Sequence, residues 1–253
     1  MLRRLHIDAL RAGSVELNRE EAHHARDVLR LKVGDAVELF DDAGNLARGT
    51  IEQSDASAVV ALVALVERAG ARPTSTGITI ASAVPKGDRA DWMIEKLSEL
   101  GVHRFVPLAT ARSVVHPAGR NKRDRWLRIA TEAAKQSRRA GVMSIDELTA
   151  LDKVVAINPG ALLLDIDPQA PSLHDHLQYQ PSNLQSQLTL LIGPEGGWTD
   201  EEVARMRAAG LTGVRLTATI LRVETAAVAA AAIVATWRAR SDAPSPPSPA
   251  ADR

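Results

Sequence analysis

The sequence predicts an α/β domain built on a parallel sheet, with a small β-barrel module in front of it, and three observations carry that reading. Beyond residue 77, short apolar runs alternate with helical patterns. Parallel strands need crossover connections, so this alternation lays helices over both faces of one sheet. Before residue 68, three strand patterns follow one another with one short helix ahead of them, as in an all-β module. Between the two lies Ala69-Gly70-Ala71-Arg72-Pro73-Thr74-Ser75-Thr76-Gly77, small and turn-rich as a linker should be. The expected division is a β-barrel domain over 1–70, a linker over 71–77, an α/β domain over 78–240 and a tail over 241–253.

In the first module, Asn18 and Glu21 have capping-box spacing and open a short helix running to Leu29. Ala36 to Phe40 reads as a strand, Asp42 to Asn45 as a turn, and Leu46 to Glu52 and Ala58 to Glu67 as further strands. Closure into a barrel would hide the edges of so small a sheet.

The second domain starts with a strand, Ile78 to Val84, and a helix, Arg89 to Leu100, stopped by Gly101. Phe105 to Leu108 is a short strand and Asn121 to Arg139 a long helix; Ser144 and Glu147 form a second capping box opening a helix to Leu151. Ala161 to Ile166 and Leu188 to Ile192 are apolar throughout, as strands buried on both faces are. Thr199 caps a helix from Asp200 to Ala209, Gly213 to Leu216 is a last strand, and Glu224 to Arg240 a last helix. The tail holds four prolines and no core residue, the composition of a disordered segment.

Composition narrows the function classes. The chain of 253 residues is 45% hydrophobic and 25% charged, ordinary for a soluble globular protein. It has no cysteine, which excludes disulfides and Cys-ligated metal centres. No apolar stretch follows Met1-Leu2-Arg3-Arg4-Leu5-His6, and Thr225 to Trp237 is too short to span a bilayer, so a soluble, cytoplasmic protein is expected. His23-His24 and His174-Asp175-His176 lack a third ligand at recognisable spacing, and no metal is expected. Neither a P-loop nor a G-x-G-x-x-G after the strand at Ile78 is present. The net charge is zero, yet Arg104 to Arg139 holds ten Lys or Arg against two acids, and Gly141 to Ala204 ten acids against Lys153. That asymmetry reads either as a face for a polyanion such as RNA or as a solvated helix surface.

Two loops carry the chemistry. Leu191-Ile192-Gly193-Pro194-Glu195-Gly196-Gly197 and Leu221-Arg222-Val223-Glu224-Thr225-Ala226 each follow an apolar run and lead into a helix. Glycines let a ligand approach main-chain groups closely, and turns at neighbouring strand ends build one pocket. Arg222 and Glu224 bring a cation and a carboxylate to a helix head, either as an ordinary ion pair or as reacting groups.

Together these loops resemble the signature loops of the SPOUT methyltransferases, and closely those of the RsmE family, which methylates N3 of a uridine in bacterial 16S ribosomal RNA. The likeness runs in order from His23 to Trp237. His23-His24-Ala25-Arg26-Asp27-Val28-Leu29-Arg30 with Gly34-Asp35 resembles that family's PUA-like or OB-like RNA-binding module. Lys86-Gly87-Asp88-Arg89, Glu95 to Gly101, Arg112-Ser113 and Glu132 to Arg139 resemble segments of its catalytic domain. One departure is Leu216-Thr217, where the family has Leu-Gly.

The resemblance implies a SPOUT-type trefoil-knotted α/β domain, S-adenosylmethionine bound in the knot, and a homodimer acting on 16S rRNA within the 30S subunit. The alanine-rich last helix suits close helix approach in either setting, or is a plain core helix. The implied cofactor contacts are Leu164, Asp165, Leu191, Ile192, Gly193, Pro194, Glu195, Gly196, Gly197, Leu216, Thr217, Ile220, Leu221, Thr225 and Ala226. Arg222 is the expected catalytic cation, with Glu224 and Glu195 competing as base or as its orienting carboxylate. RNA phosphates fall to Lys86, Arg89, Arg112, Arg120, Lys122, Arg123, Arg138 and Arg139. The competing readings are a ribose 2′-O methyltransferase of the same superfamily and a non-catalytic RNA-binding assembly factor.

Overall fold

A computed structural model describes residues 2–56, 58–68, 77–116, 120–139, 141–179 and 187–241. Almost all of the expected linker and tail lies outside them. In the N-terminal part, β1 (Arg3–His6), β2 (Gly13–Glu16), β3 (Ala36–Phe40), β4 (Asn45–Ser54) and β5 (Val59–Arg68) form one sheet in the order β1-β3-β4-β5-β2. Only the β1–β3 pair is parallel. Val37, Leu39, Ile51, Ala61 and Val63 are buried at alternate positions and make its core with Leu5 and Val15.

The helix expected from Asn18 to Leu29 is in two parts, α1 (Arg19–His23) and a π-helical turn, His24–Val28. Asn18 accepts the Glu21 N–H at 3.0 Å, but the reciprocal half of the expected capping box is missing. The Glu21 carboxylate instead accepts the His6 N–H at 3.1 Å and pairs with Lys135, which lies on the other domain. Glu21 is buried, and a buried carboxylate favours a cation over a second cap bond.

The second sheet contains β6 (Ile78–Ser82), β7 (Arg104–Ala109), β8 (Ser144–Ile145), β10 (Leu162–Leu164), β11 (Leu188–Ile192) and β12 (Thr212–Val214). Its order is β12-β10-β11-β6-β7-β8 with every pair parallel, and a short β9 (Thr149–Ala150) pairs with β7 beyond that path. The central strands β6 and β11 are buried along their whole length, as their uniformly apolar sequences require. One face packs against α2 (Asp88–Glu99), α3 (Arg120–Gln136), α5 (Leu173–Gln178) and α7 (Val223–Ser241), and the other against α4 (Leu151–Ile157) and α6 (Asp200–Ala208). Among the described residues no helix is long and apolar enough to cross a membrane.

Two expectations change. The helix expected from Ser144 to Leu151 is instead β8, a connecting segment and β9, with helix only from Leu151. The Ser144 N–H and hydroxyl both donate to the His103 carbonyl, at 2.9 and 3.3 Å, while Ile145 is buried opposite Phe105. Strand pairing at the sheet edge outweighs the local cap. Helix α5, absent from the sequence reading, has six residues, too few for a helical period to emerge.

After β12 the chain returns past the loop that follows β10. The Arg215 N–H donates to Pro171 O at 3.0 Å, and the Leu173 N–H to Arg215 O at 2.8 Å. From there it runs into α7, back against α2, β6 and β11 in the middle of the sheet, the course of the trefoil-knotted α/β fold.

The two domains are clasped at the C-terminal end of α3. Arg4 donates to Arg139 O at 2.7 Å and pairs with Glu38 at 3.1 Å, while Arg138 donates to Leu2 O at 3.0 Å. Lys135 and Glu21, both under one-tenth exposed, form the buried ion pair of this interface. Arg139 donates to Ser98 O at 2.9 Å, and burial lowers its pKa to about 10. Arg138 and Arg139, expected on an RNA face, are thus committed to holding helices and domains together. Lys135→Ala should strand Glu21 without its cation and lower stability by about 3 kcal/mol, read as a shifted midpoint in urea unfolding.

Candidate active site

In a parallel sheet the strand carboxyl ends share one edge, and the connections leaving them meet there. After β11, the Ile192 carbonyl accepts the Ala83 N–H from the end of β6 at 3.0 Å. A Cβ on Gly193 would lie 2.9 Å from the Trp198 indole, so only glycine fits. The indole N–H donates to Leu164 O at 3.3 Å, which ties this loop to the end of β10. A turn closes with the Gly197 N–H on Pro194 O at 2.8 Å, and Thr199 starts α6 with a complete capping box to Glu202. The Glu202 carboxylate, almost fully buried, also accepts the Ala111 N–H at 2.8 Å.

The other two turns close against the same edge. Asp165 donates its N–H to Val214 O at 2.9 Å and accepts the Asp167 N–H on its carboxylate at 3.1 Å. Beyond β12, the Thr217 hydroxyl donates to Thr219 O at 2.7 Å, and residues 217–220 are exposed. Thr217 is not among the positive-φ residues, so threonine takes the family's glycine position without backbone strain. Leu164, Asp165, Gly193 to Gly197 and Leu216 to Leu221 therefore border one edge. Leu191 and Ile192 are buried in β11 and offer only backbone. Thr225 and Ala226 lie in the first turn of α7.

The charged groups are arranged differently from the expected Arg222–Glu224 or Arg222–Glu195 pairing. Both carboxylates converge on Arg89 at the start of α2, Glu195 at 3.1 Å and Glu224 at 3.3 Å. The Glu224 charge foremost, with Glu195, raises the Arg89 pKa. Residues two apart at a helix start point to different sides, so Glu224 turns inward, 6% exposed, while Arg222 faces solvent. One Glu224 oxygen is buried without a hydrogen bond. Arg222 makes no ion pair among the described residues, and the Glu195 side chain is 55% exposed. Arg222 and Glu195 both present charge outward here, and Arg89 is the residue whose role the sequence reading missed.

The other basic residues divide further. Arg112 donates to Gly196 O at 2.8 Å and Trp198 O at 3.2 Å, bracing the glycine loop. Lys122 pairs with Asp91 at 3.1 Å, beside Trp126 Nε1 at 2.9 Å on the same carboxylate. Burial alone would raise the Asp91 pKa, but the bonds from Lys122 and Trp126 and the Lys122 and Arg125 charges outweigh it and lower it. Arg123 lies 3.5 Å from Glu147. Lys86 and Arg120 are exposed. Among the described residues no group of three or more His, Asp or Glu gathers as a metal site.

Exposed peptide groups at 196–197 and 217–220 beside the half-buried Leu164, Leu216 and Leu221 suit a neutral ring read through main-chain bonds.

Comparisons with known proteins bear on this site. The family model for an RNA methyltransferase domain matches residues 72–235, and that for an RNA methyltransferase PUA domain matches residues 17–63. The chain is 35% identical to a Synechocystis protein named ribosomal RNA small subunit methyltransferase E, over 87% of this chain and 72% of that one. A Bacillus subtilis protein of the same name is 31% identical, over 85% and 87%. Among solved structures, ribosomal RNA small subunit methyltransferase E from Neisseria gonorrhoeae, bound to S-adenosyl methionine, has a TM-score of 0.81 at 27% identity and covers 93% of this chain and 98% of its own. A Legionella pneumophila structure with the bound cofactor SAM has a TM-score of 0.80 at 27% identity, covering 95% and 98%.

Gly193→Ala should displace the Trp198 ring, with a loss of about 1–3 kcal/mol in stability and a red-shifted tryptophan emission as the indole leaves Leu164.

Proposed function

The chain belongs to the RNA methyltransferase family whose curated members are named ribosomal RNA small subunit methyltransferase E, and from that premise we propose that it methylates N3 of a uridine in 16S rRNA of the 30S subunit. It is an S-adenosylmethionine-dependent methyltransferase of small-subunit ribosomal RNA. The observation that carries the N3 reading is the outward-facing pair, Arg222 and Glu195, beside three converging strand-end turns.

When bound, S-adenosylmethionine supplies a methyl group made electrophilic by its sulfonium. Leu164, Asp165, the Gly193 loop and Leu216 to Leu221 would hold it through main-chain groups and apolar walls. Uracil N3 carries a proton at neutral pH and is a poor nucleophile until that proton leaves. The Glu195 carboxylate takes it, and Arg222 stabilises the negative charge spreading onto the ring oxygens as N3 accepts the methyl group. Glu224, buried against Arg89, is the positioning carboxylate rather than the base. Arg89 holds Glu195 at 3.1 Å.

A homodimer is the proposed active unit, and the half-buried small residues of α7, Ala226, Ala229, Ala232 and Ala235, support it by permitting close helix approach. A 30S substrate places the work in the cytoplasm. Sedimentation equilibrium should return twice the chain mass, and a monomer at micromolar concentration would contradict the dimer.

The reaction is tested by methylating 30S subunits from cells lacking the enzyme and analysing nucleosides by mass spectrometry. Base-methylated N3-methyluridine is expected, and methyl on ribose would reverse the choice. Arg222→Ala should lower single-turnover methylation by about 100-fold or more with donor affinity in calorimetry little changed.

A further inference from the structure

The three strand-end turns that border the cofactor cradle are fixed by different means. The turn after β11 relies on Gly193 against the Trp198 indole, and the turn after β10 on the bonds made by Asp165. Between β12 and α7 the chain has neither device. Residues 216–221 contain no glycine and no positive φ, and among the described residues they make no main-chain to main-chain hydrogen bond. The one tie within this stretch is the Thr217 hydroxyl, which donates to Thr219 O at 2.7 Å with the Thr219 hydroxyl 3.3 Å away. We propose that Thr217 is a positioning residue for S-adenosylmethionine, its hydroxyl holding the third turn in the binding conformation before the cofactor arrives. The inference rests on the cofactor cradle proposed above and adds what orders its least anchored wall.

The ends of this stretch are anchored and its middle is not. Upstream, the Arg215 N–H donates to Pro171 O at 3.0 Å, its carbonyl accepts the Leu173 N–H at 2.8 Å, and its Nε donates to Ala170 O at 3.0 Å. Downstream, Arg222 O accepts the Ala226 N–H at 2.8 Å in the first turn of α7. Leu216 packs on the core, whereas residues 217–220 are exposed. Burial does not hold those four residues. Without a bond, each brings backbone freedom that a ligand must remove on binding.

The hydroxyl tie suits that task. Threonine is stiff about χ1 because it branches at Cβ, so a short bond from its side chain restrains the backbone from 217 to 219. Thr219 O keeps its second lone pair for an N–H or O–H of the ligand. The next residue, Ile220, is 80% exposed, so the tied turn carries an apolar side chain at the rim of the cradle beside half-buried Leu221. Thr217 stands where the family has glycine, so a hydroxyl here is this chain's own device. It acts through the turn and not on the reacting atoms.

Calorimetric titration of the full chain with S-adenosylmethionine tests the tie in two variants, Thr217→Val, which keeps the shape and loses the hydroxyl, and Thr217→Ser, which keeps the hydroxyl. Thr217→Val should bind the cofactor about 5-fold more weakly, and Thr217→Ser within a factor of about two of the wild type. Both should melt within about 2 °C of the wild type, because residues 217–220 are exposed. In methylation of 30S subunits the loss should lie in the KM for S-adenosylmethionine and not in turnover at saturation. Wild-type affinity in Thr217→Val, or an equal loss in Thr217→Ser, overturns the proposal. A melting point well below the wild type assigns Thr217 to the fold instead, and a loss of turnover at saturation assigns it to the chemistry; either result also overturns it. A wild-type chain that takes up no S-adenosylmethionine refutes the cofactor cradle itself, a failure separate from that of the tie.

Discussion

The close approach of Gly193 to the Trp198 indole is the contact on which the site depends. It lets the chain leave β11, reverse at once and bring the indole N–H back to the Leu164 carbonyl. The turns after β10 and β11 are thereby locked edge to edge, and the third closes on them through Asp165 and Val214. Any side chain at 193 would push the ring away and separate the two turns. A cradle of neutral peptide groups demands this close fit, because main-chain donors and acceptors cannot be re-aimed by rotamer changes.

Buried carboxylates do the equivalent work for charge. Glu202 serves at once as the capping-box partner of Thr199 and as acceptor for Ala111, joining the start of α6 to the loop after β7. Glu224 anchors Arg89 from beneath, and Arg89 in turn holds the exposed Glu195. Each buried acid thus fixes a second group that faces the site. Truncating one would leave a charge without its partner in a poorly solvated place, which is why such positions tolerate little change.

The same logic links the domains. The run of ten basic residues from Arg104 to Arg139 looks in one dimension like a polyanion surface. In three dimensions Lys135 and Arg138 hold the N-terminal domain to the end of α3, Arg139 ties that end to Ser98 of α2, and Lys122 and Arg125 staple α3 to α2 through Asp91. Lys86, Arg120 and Arg222 are exposed and border the candidate site or the start of α3. A rigid relation between the domains gives an RNA that touches both of them a defined position over the strand ends.

Local chemistry sufficed for what depends on nearest neighbours. The Leu188–Ile192 strand, Thr199 and its helix, and the glycine-bearing turn could be read directly, since burial pattern, cap and turn are each set within a few residues. The parallel α/β order followed from alternation alone. What failed was local chemistry overruled from a distance. Ser144 and Glu147 have capping-box spacing, but β7 offered a ladder; Asn18 and Glu21 have it too, but Lys135 claimed the carboxylate. The partner of Glu224 was likewise invisible, because Arg89 lies 135 residues away and meets it only once α2 and α7 pack together. Sequence determined which residues make the turns and carry the charge. The tertiary structure decided which charges neutralise one another and which are left to meet a substrate, because an ion pair depends on distance in space and not on separation along the chain.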